Sequence, residues 1–188
     1  MSANDFRPGE VDNRAAYAGF TLAFVLGHGS AALSRGADPP LPLPHWVPLV
    51  VLALFLVPAL ALSVRAGVRA QRGAGPERER AESLLGGAWC TGFVALALAI
   101  TGLAAGTPSL QDVLWPAGSV LIVGMVNVAE GAVRRDVLHY ALGTWLALLS
   151  SASLFLDVAG VYAVLAVAGG GGYALAAALA GTRVARTP

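Results

Sequence analysis

Trp46-Val47-Pro48-Leu49-Val50-Val51-Leu52-Ala53-Leu54-Phe55-Leu56-Val57-Pro58-Ala59-Leu60-Ala61-Leu62-Ser63-Val64 runs without a charged side chain. A helix needs about 20 apolar residues to cross the hydrocarbon of a bilayer, and this stretch supplies them on every face. A soluble core helix keeps a polar side, and this one has none to turn toward water. Five more runs of the same kind flank it, at Ala15–Leu33, Ser83–Ala105, Val113–Val133, Val137–Leu156 and Ala159–Thr182. The reading is all-α: a polytopic membrane protein of six transmembrane helices forming one domain over residues 1–188. Composition agrees, because 56% of residues are hydrophobic and only 12% are charged. That charged share is about half the usual one, and one soluble core could not hide so much apolar surface.

The breaks between runs carry their own signals. Asp38-Pro39-Pro40-Leu41-Pro42-Leu43-Pro44 cannot continue a helix, since proline lacks a donor and blocks the preceding turn. Gly75-Pro76 followed by Glu77 and Glu79 predicts that the third helix starts before its apolar run, with proline first and glutamates at the positive end of the dipole. Asp136 and Asp157 are each placed to cap the helix that follows. The acidic leader before the first run (Asp5, Glu10, Asp12) is unlike a basic signal-peptide start, so the run is expected to stay as a span.

All 12 cations are arginine. In a six-span arrangement Arg7, Arg14, Arg65, Arg69, Arg72, Arg78, Arg80, Arg134, Arg135, Arg183 and Arg186 fall on one side, and Arg35 alone on the other. Arginine gathers on the cytoplasmic side of membrane proteins, so both termini are expected in the cytoplasm of a cell that carries the protein in its plasma or inner membrane. Trp46, Trp115 and Tyr162 are expected at the outer interface, and Tyr17 and Tyr140 toward the inner one.

Ionisable and polar groups inside a bilayer are costly, so each calls for a partner or a task. Glu130 stands near the end of the fourth run, with Asn127 a turn earlier on the same face. The pair would suit a cation or a proton, and Arg134 at i+4 offers Glu130 a structural partner instead. Asp136 and His139 flank the same turn and with Glu130 would make an acid/base cluster. His28, between Gly27 and Gly29, is a candidate metal or haem ligand or pH sensor, with His45 as a second histidine on its side. Gly169, Gly170, Gly171 and Gly172 in the sixth run either let helices approach closely or unwind to expose carbonyls for a ligand. Ser150, Ser151 and Ser153 are expected to bridge helices, and Cys90 to be a buried small hydrophobe.

No nucleophile–base–acid arrangement, phosphate loop or paired mid-membrane carboxylates argue for an enzyme, and no cofactor is implied. A net charge of +1 gives no reason to expect nucleic acid. The expected partners are the lipid bilayer and either a second copy of the chain or another membrane protein. Three functions follow: a small transporter or membrane subunit of a transport system, using Asn127, Glu130 and the glycine run; a non-transporting scaffold or sensor whose arginine-rich connector makes the contact; or a haem- or metal-binding membrane protein using His28. Gly118, Gly124 and Gly131, the Arg134-Arg135 turn, Gly143-Thr144-Trp145 and the glycines before Tyr173 form a rhythm that resembles small six-span bacterial inner-membrane proteins. The resemblance covers the C-terminal half, implies a six-helix membrane fold and supplies no functional residues.

Overall fold

The computed structural model describes residues 11–71 and 75–184, the last three by backbone alone. Arg7, Arg72 and Arg186, and the side chain of Arg183, lie outside the described residues. Among the described residues there is no strand. Helix α1 is Arg14–Ser34, α2 is Trp46–Gln71 and α3 is Pro76–Leu103. Helix α4 is Gln111–Arg134, entered through a tight turn at Pro108–Leu110, and α5 is Val137–Ser153. Helix α6 joins Val158–Val164, Leu165–Gly169 and Gly170–Val184 end to end.

Five of these helices are long and apolar enough to cross a membrane. The sixth, α5, has 17 residues and stops at Ser153, short of the expected Leu156. The chain is therefore an all-helical, multi-pass membrane protein. Its outer faces agree. Leu54 is 65% exposed and Leu98 is 70% exposed, each amid other outward apolar side chains on α2 and α3. A continuous apolar surface of that extent needs lipid or a partner, not water.

Helices α1, α4, α5 and α6 enclose the core, built on Tyr17, Phe24, Val120, Leu142, Leu146, Leu165 and Tyr173. Helix α2 packs on α1 and α3 packs on α4, both at the periphery. The predicted start of α3 at Pro76 is observed. Asp136 caps α5 by accepting from the Leu138 and His139 amides, at 3.0 and 3.2 Å. Asp157 caps α6 through the Gly160 amide at 2.8 Å. Just outside α1, the Arg14 guanidinium hydrogen-bonds Asp12 at 2.8 Å and holds its carboxyl below the usual range.

Helices α4 and α5 meet along glycines. A methyl group at Gly124 would lie 2.5 Å from the Ala147 nitrogen, and one at Gly143 would lie 2.6 Å from the Val128 nitrogen. Arg134-Arg135 closes the turn between them. Arg135 is left-handed at φ 55°, its amide bonds the Ala132 carbonyl, and the Asp136 amide bonds the Gly131 carbonyl at 2.9 Å. That pair of bonds is the glycine-type helix stop, made here by an arginine.

Two π-turns face each other, Ala23–His28 in α1 and Leu165–Gly169 in α6. A π-turn frees a carbonyl from the regular ladder. The Trp145 indole on α5 donates to the Ala168 carbonyl in the second turn at 2.9 Å. The glycine run is helical throughout and exposes no unwound stretch. Methyl groups at Gly169, Gly170 and Gly172 would each come within 2.7 Å of Phe24, Val25 and Trp145 respectively, so three of the four serve close packing. Gly171 has no atom within 4 Å of an added methyl. Gly171→Ala is therefore expected to stabilise the protein by up to about 1 kcal/mol through helix propensity. Thermal unfolding in detergent checks this, and a loss of stability would contradict the open space.

Several sequence expectations are corrected. Ser150 and Ser151 both donate to the Ala147 carbonyl, and Ser153 to the Ser150 carbonyl, so all three bond their own helix and bridge nothing. A helical hydroxyl finds the carbonyl one turn back before it finds a neighbour. Tyr17 and Tyr162 are buried in the bundle instead of standing in an interfacial belt, whereas Trp46, Trp115 and Tyr140 are exposed. Cys90 is exposed on α3, not buried.

Candidate functional site

The end of the bundle that holds the Arg134-Arg135 turn carries a buried polar network. Glu130 is its hub. Its Oε1 accepts from the Trp89 indole at 2.8 Å. Its Oε2 accepts from Arg134 Nη1 at 2.8 Å and from His139 Nε2 at 3.1 Å. Arg134 then turns its other edge to Glu82, with Nε 2.9 Å from Oε1 and Nη2 2.6 Å from Oε2. This is the two-point geometry that suits a guanidinium to a carboxylate. On the far side of the imidazole, His139 Nδ1 lies 2.7 Å from the Tyr17 hydroxyl.

The network ties α1, α3, α4 and α5 together through side chains that water barely reaches. Side-chain exposure is 7% for Glu82, 12% for Glu130, 13% for Arg134 and 7% for His139. Placement follows from local structure. Glu130 and Arg134 share a face of α4 at i and i+4. The Asp136 cap fixes the first turn of α5, which aims His139 back over the end of α4. Helix α3 begins outside its apolar run, so Glu82 and Trp89 reach the same level.

The hydrogen positions follow from chemistry. A carboxylate only accepts, so His139 Nε2 carries a hydrogen. In the neutral ring Nδ1 then has a lone pair, and the Tyr17 O–H donates to it. The Asn13 side chain lies against the Tyr17 hydroxyl, and Asn13 Oδ1 is buried without a hydrogen-bond partner. With the ring neutral, two carboxylates and one guanidinium leave the cluster one negative charge out of balance.

The structure brings Glu130, Asp136 and His139 to one turn, with Asp136 as the cap of α5 and Glu130 joined to His139. Asn127 is not joined to Glu130. It is buried on the α4–α5 seam and faces the Tyr173 hydroxyl at the bundle centre. His28 is buried at the end of the first π-turn, edge-on to Phe24 at 4.9 Å and 5.9 Å from the Tyr162 ring, while His45 is exposed on the connector. Arg35 pairs with Asp112 at 2.7 Å beside that ring. Among the described residues no group of three or more His, Cys, Asp or Glu is placed to hold a metal ion.

Sequence reasoning missed Tyr17, Glu82 and Trp89. Glu82 carried a readable signal, since it is the last acid before an apolar run and lies two turns inside the predicted start of its helix. Tyr17 and Trp89 carried none, because their partners are 122 and 41 residues away. The chain matches no known protein family, no curated protein and no solved structure.

Proposed function

We propose that the chain crosses the membrane six times with its arginine-rich end in the cytoplasm, and that it works there as a sensor or scaffold for another membrane protein. The six-span topology rests on placing 11 of the 12 arginines on one side. The short α5 still spans most of the hydrocarbon, since its 17 residues reach about 25 Å at 1.5 Å each. Arg65, Arg69 and Arg80, exposed in or beside the α2–α3 connection, form the surface that would meet an acidic partner.

The functional reading is carried by one observation, the chain Tyr17–His139–Glu130–Arg134–Glu82. It runs from the start of α1, through the turn between α4 and α5, to the connector end of α3, so a partner seated on the α2–α3 connection would be sensed at Tyr17. Glu130 already accepts from three donors of the protein itself, Trp89, Arg134 and His139, which favours sensing over transport.

His139→Phe, which keeps a ring and removes both of its side-chain hydrogen bonds, is expected to lower amide protection over residues 17–20 about tenfold. Unchanged protection in that variant would sink the reading. Transport is the second reading, favoured by the buried path from Glu130 through His139 to Tyr17. Proton or cation flux in liposomes that is lost in Glu130→Gln would establish it in place of the first.

A further inference from the structure

Helices α5 and α6 part on their outer side to form a groove of about 510 Å³, lined by Leu138, Leu142, Trp145, Gly171, Leu175 and Leu179 among others. Every lining side chain is apolar apart from the Trp145 indole N–H, and that is spent on the Ala168 carbonyl. Along α6 the lining runs from Ala168 to Leu179, about 16 Å at 1.5 Å per residue. That is about half of a hydrocarbon core of about 30 Å, the depth of one leaflet. Leu138 and Leu179 line its end nearest the Arg134-Arg135 turn, and Trp145 and Ala168 line the other end.

Its width decides what can enter. The volume spread over that length gives a mean section of about 30 Å². A hydrocarbon chain packed at contact distances of about 4–5 Å fills on the order of 20 Å². A helix of about 10 Å diameter needs on the order of 80 Å². The groove can hold a single acyl chain along its whole length. Charge points the same way. Arg135 is exposed three residues before Leu138, and among the described residues it has no ion pair, whereas Arg14, Arg35 and Arg134 each have one. We propose that this groove is a phospholipid site, holding one acyl chain of an anionic lipid from the leaflet at the arginine-rich end, with its phosphate beside Arg135.

Gly171 makes the site testable, because it lines the groove and a Cβ added there has no atom of the protein within 4 Å. The full chain in detergent is titrated with dipalmitoyl phosphatidylglycerol, and with dipalmitoyl phosphatidylcholine as the comparator of equal chains and no net charge. Bound lipid is counted by native mass spectrometry. The wild type is expected to retain one phosphatidylglycerol per chain. Gly171→Leu should lower retention of both lipids at least about tenfold, the loss of several buried methylene contacts. Leu175→Trp, filling the groove from its rim, is the second variant and should act alike. Gly102→Leu on α3, also an open position, should change nothing. Arg135→Gln should cost about fivefold for phosphatidylglycerol and leave phosphatidylcholine unaffected. Retention in Gly171→Leu and Leu175→Trp equal to wild type overturns the proposal. So does a dimer that both variants dissociate without change in bound lipid, which would assign the groove to a second copy of the chain. Equal wild-type retention of the two lipids overturns the role of Arg135.

Discussion

Replacing Arg134 with methionine is expected to destabilise the protein by about 3–5 kcal/mol, the cost of breaking a buried ion pair from one side. The reason lies in what is left behind. Glu82 loses both of its guanidinium bonds, and Glu130 loses the nearer of its two charged or chargeable partners. Two carboxylates then sit buried, with only the Trp89 indole and the His139 ring to receive them. Most of the penalty belongs to those stranded charges and not to the pair itself. The variant Glu82→Gln/Glu130→Gln/Arg134→Met, which removes all three charges, should therefore recover most of the loss. Unfolding in detergent followed by tryptophan fluorescence measures both. A loss below about 1 kcal/mol for Arg134→Met, or a triple variant no more stable than the single one, would show that the network is too wet to act as described.

The second large effect is expected on the seam between α4 and α5. A methyl at Gly143 would meet the Val128 nitrogen at 2.6 Å and the Gly124 oxygen at 2.7 Å. A methyl at Gly124 would meet the Ala147 nitrogen at 2.5 Å. These neighbours are backbone, so no side chain can swing aside and the helices must separate. Gly143→Ala is expected to cost about 1–3 kcal/mol, and Gly143→Leu more. Because one separation accommodates both residues, Gly124→Ala/Gly143→Ala should cost less than the two single changes together. Additive losses, or a Gly143→Ala protein within about 0.5 kcal/mol of wild type, would contradict a shared backbone contact. Gly171 on α6 is the internal contrast, since alanine is expected to help there.

What could be read from the chain divides by range. The apolar runs are legible because lipid demands them of every spanning helix, whatever its neighbours. Asp136 and Asp157 are legible as caps, and Glu130–Arg134 as an i,i+4 pair, because those rules act within a few residues. The cluster of Glu130, Asp136 and His139 around one turn follows from the same short range. The rest depends on which helices end up adjacent. Nothing local to Tyr17 points to His139, and nothing local to Trp89 points to Glu130. Asn127 shares a face with Glu130 on paper, yet a helix face is wide enough that one residue meets Tyr173 on α6 while the other meets Trp89 on α3 and His139 on α5. Ser150, Ser151 and Ser153 misled for the opposite reason, since their nearest acceptor was within their own helix. Arg135 in a left-handed turn breaks the usual preference for glycine, so that stop carried no glycine to announce it.

The paired π-turns have a consequence for how the chain tolerates change. Each holds one residue more than the α-helix needs to cover the same rise, so the segment beyond it is turned by about 100° against an unbroken helix. In α1 this sets the phase of His28 and Ala31 relative to Tyr17, and in α6 that of Tyr173 and Ala176 relative to Tyr162. A one-residue deletion inside residues 23–28 would relax that turn to α and leave both flanking faces in phase with the bundle. The same deletion at any other level of α1 would rotate one half of the helix out of register with its neighbours. The two turns thus act as the vernier marks of the bundle, the levels at which its length and its phase can be adjusted independently.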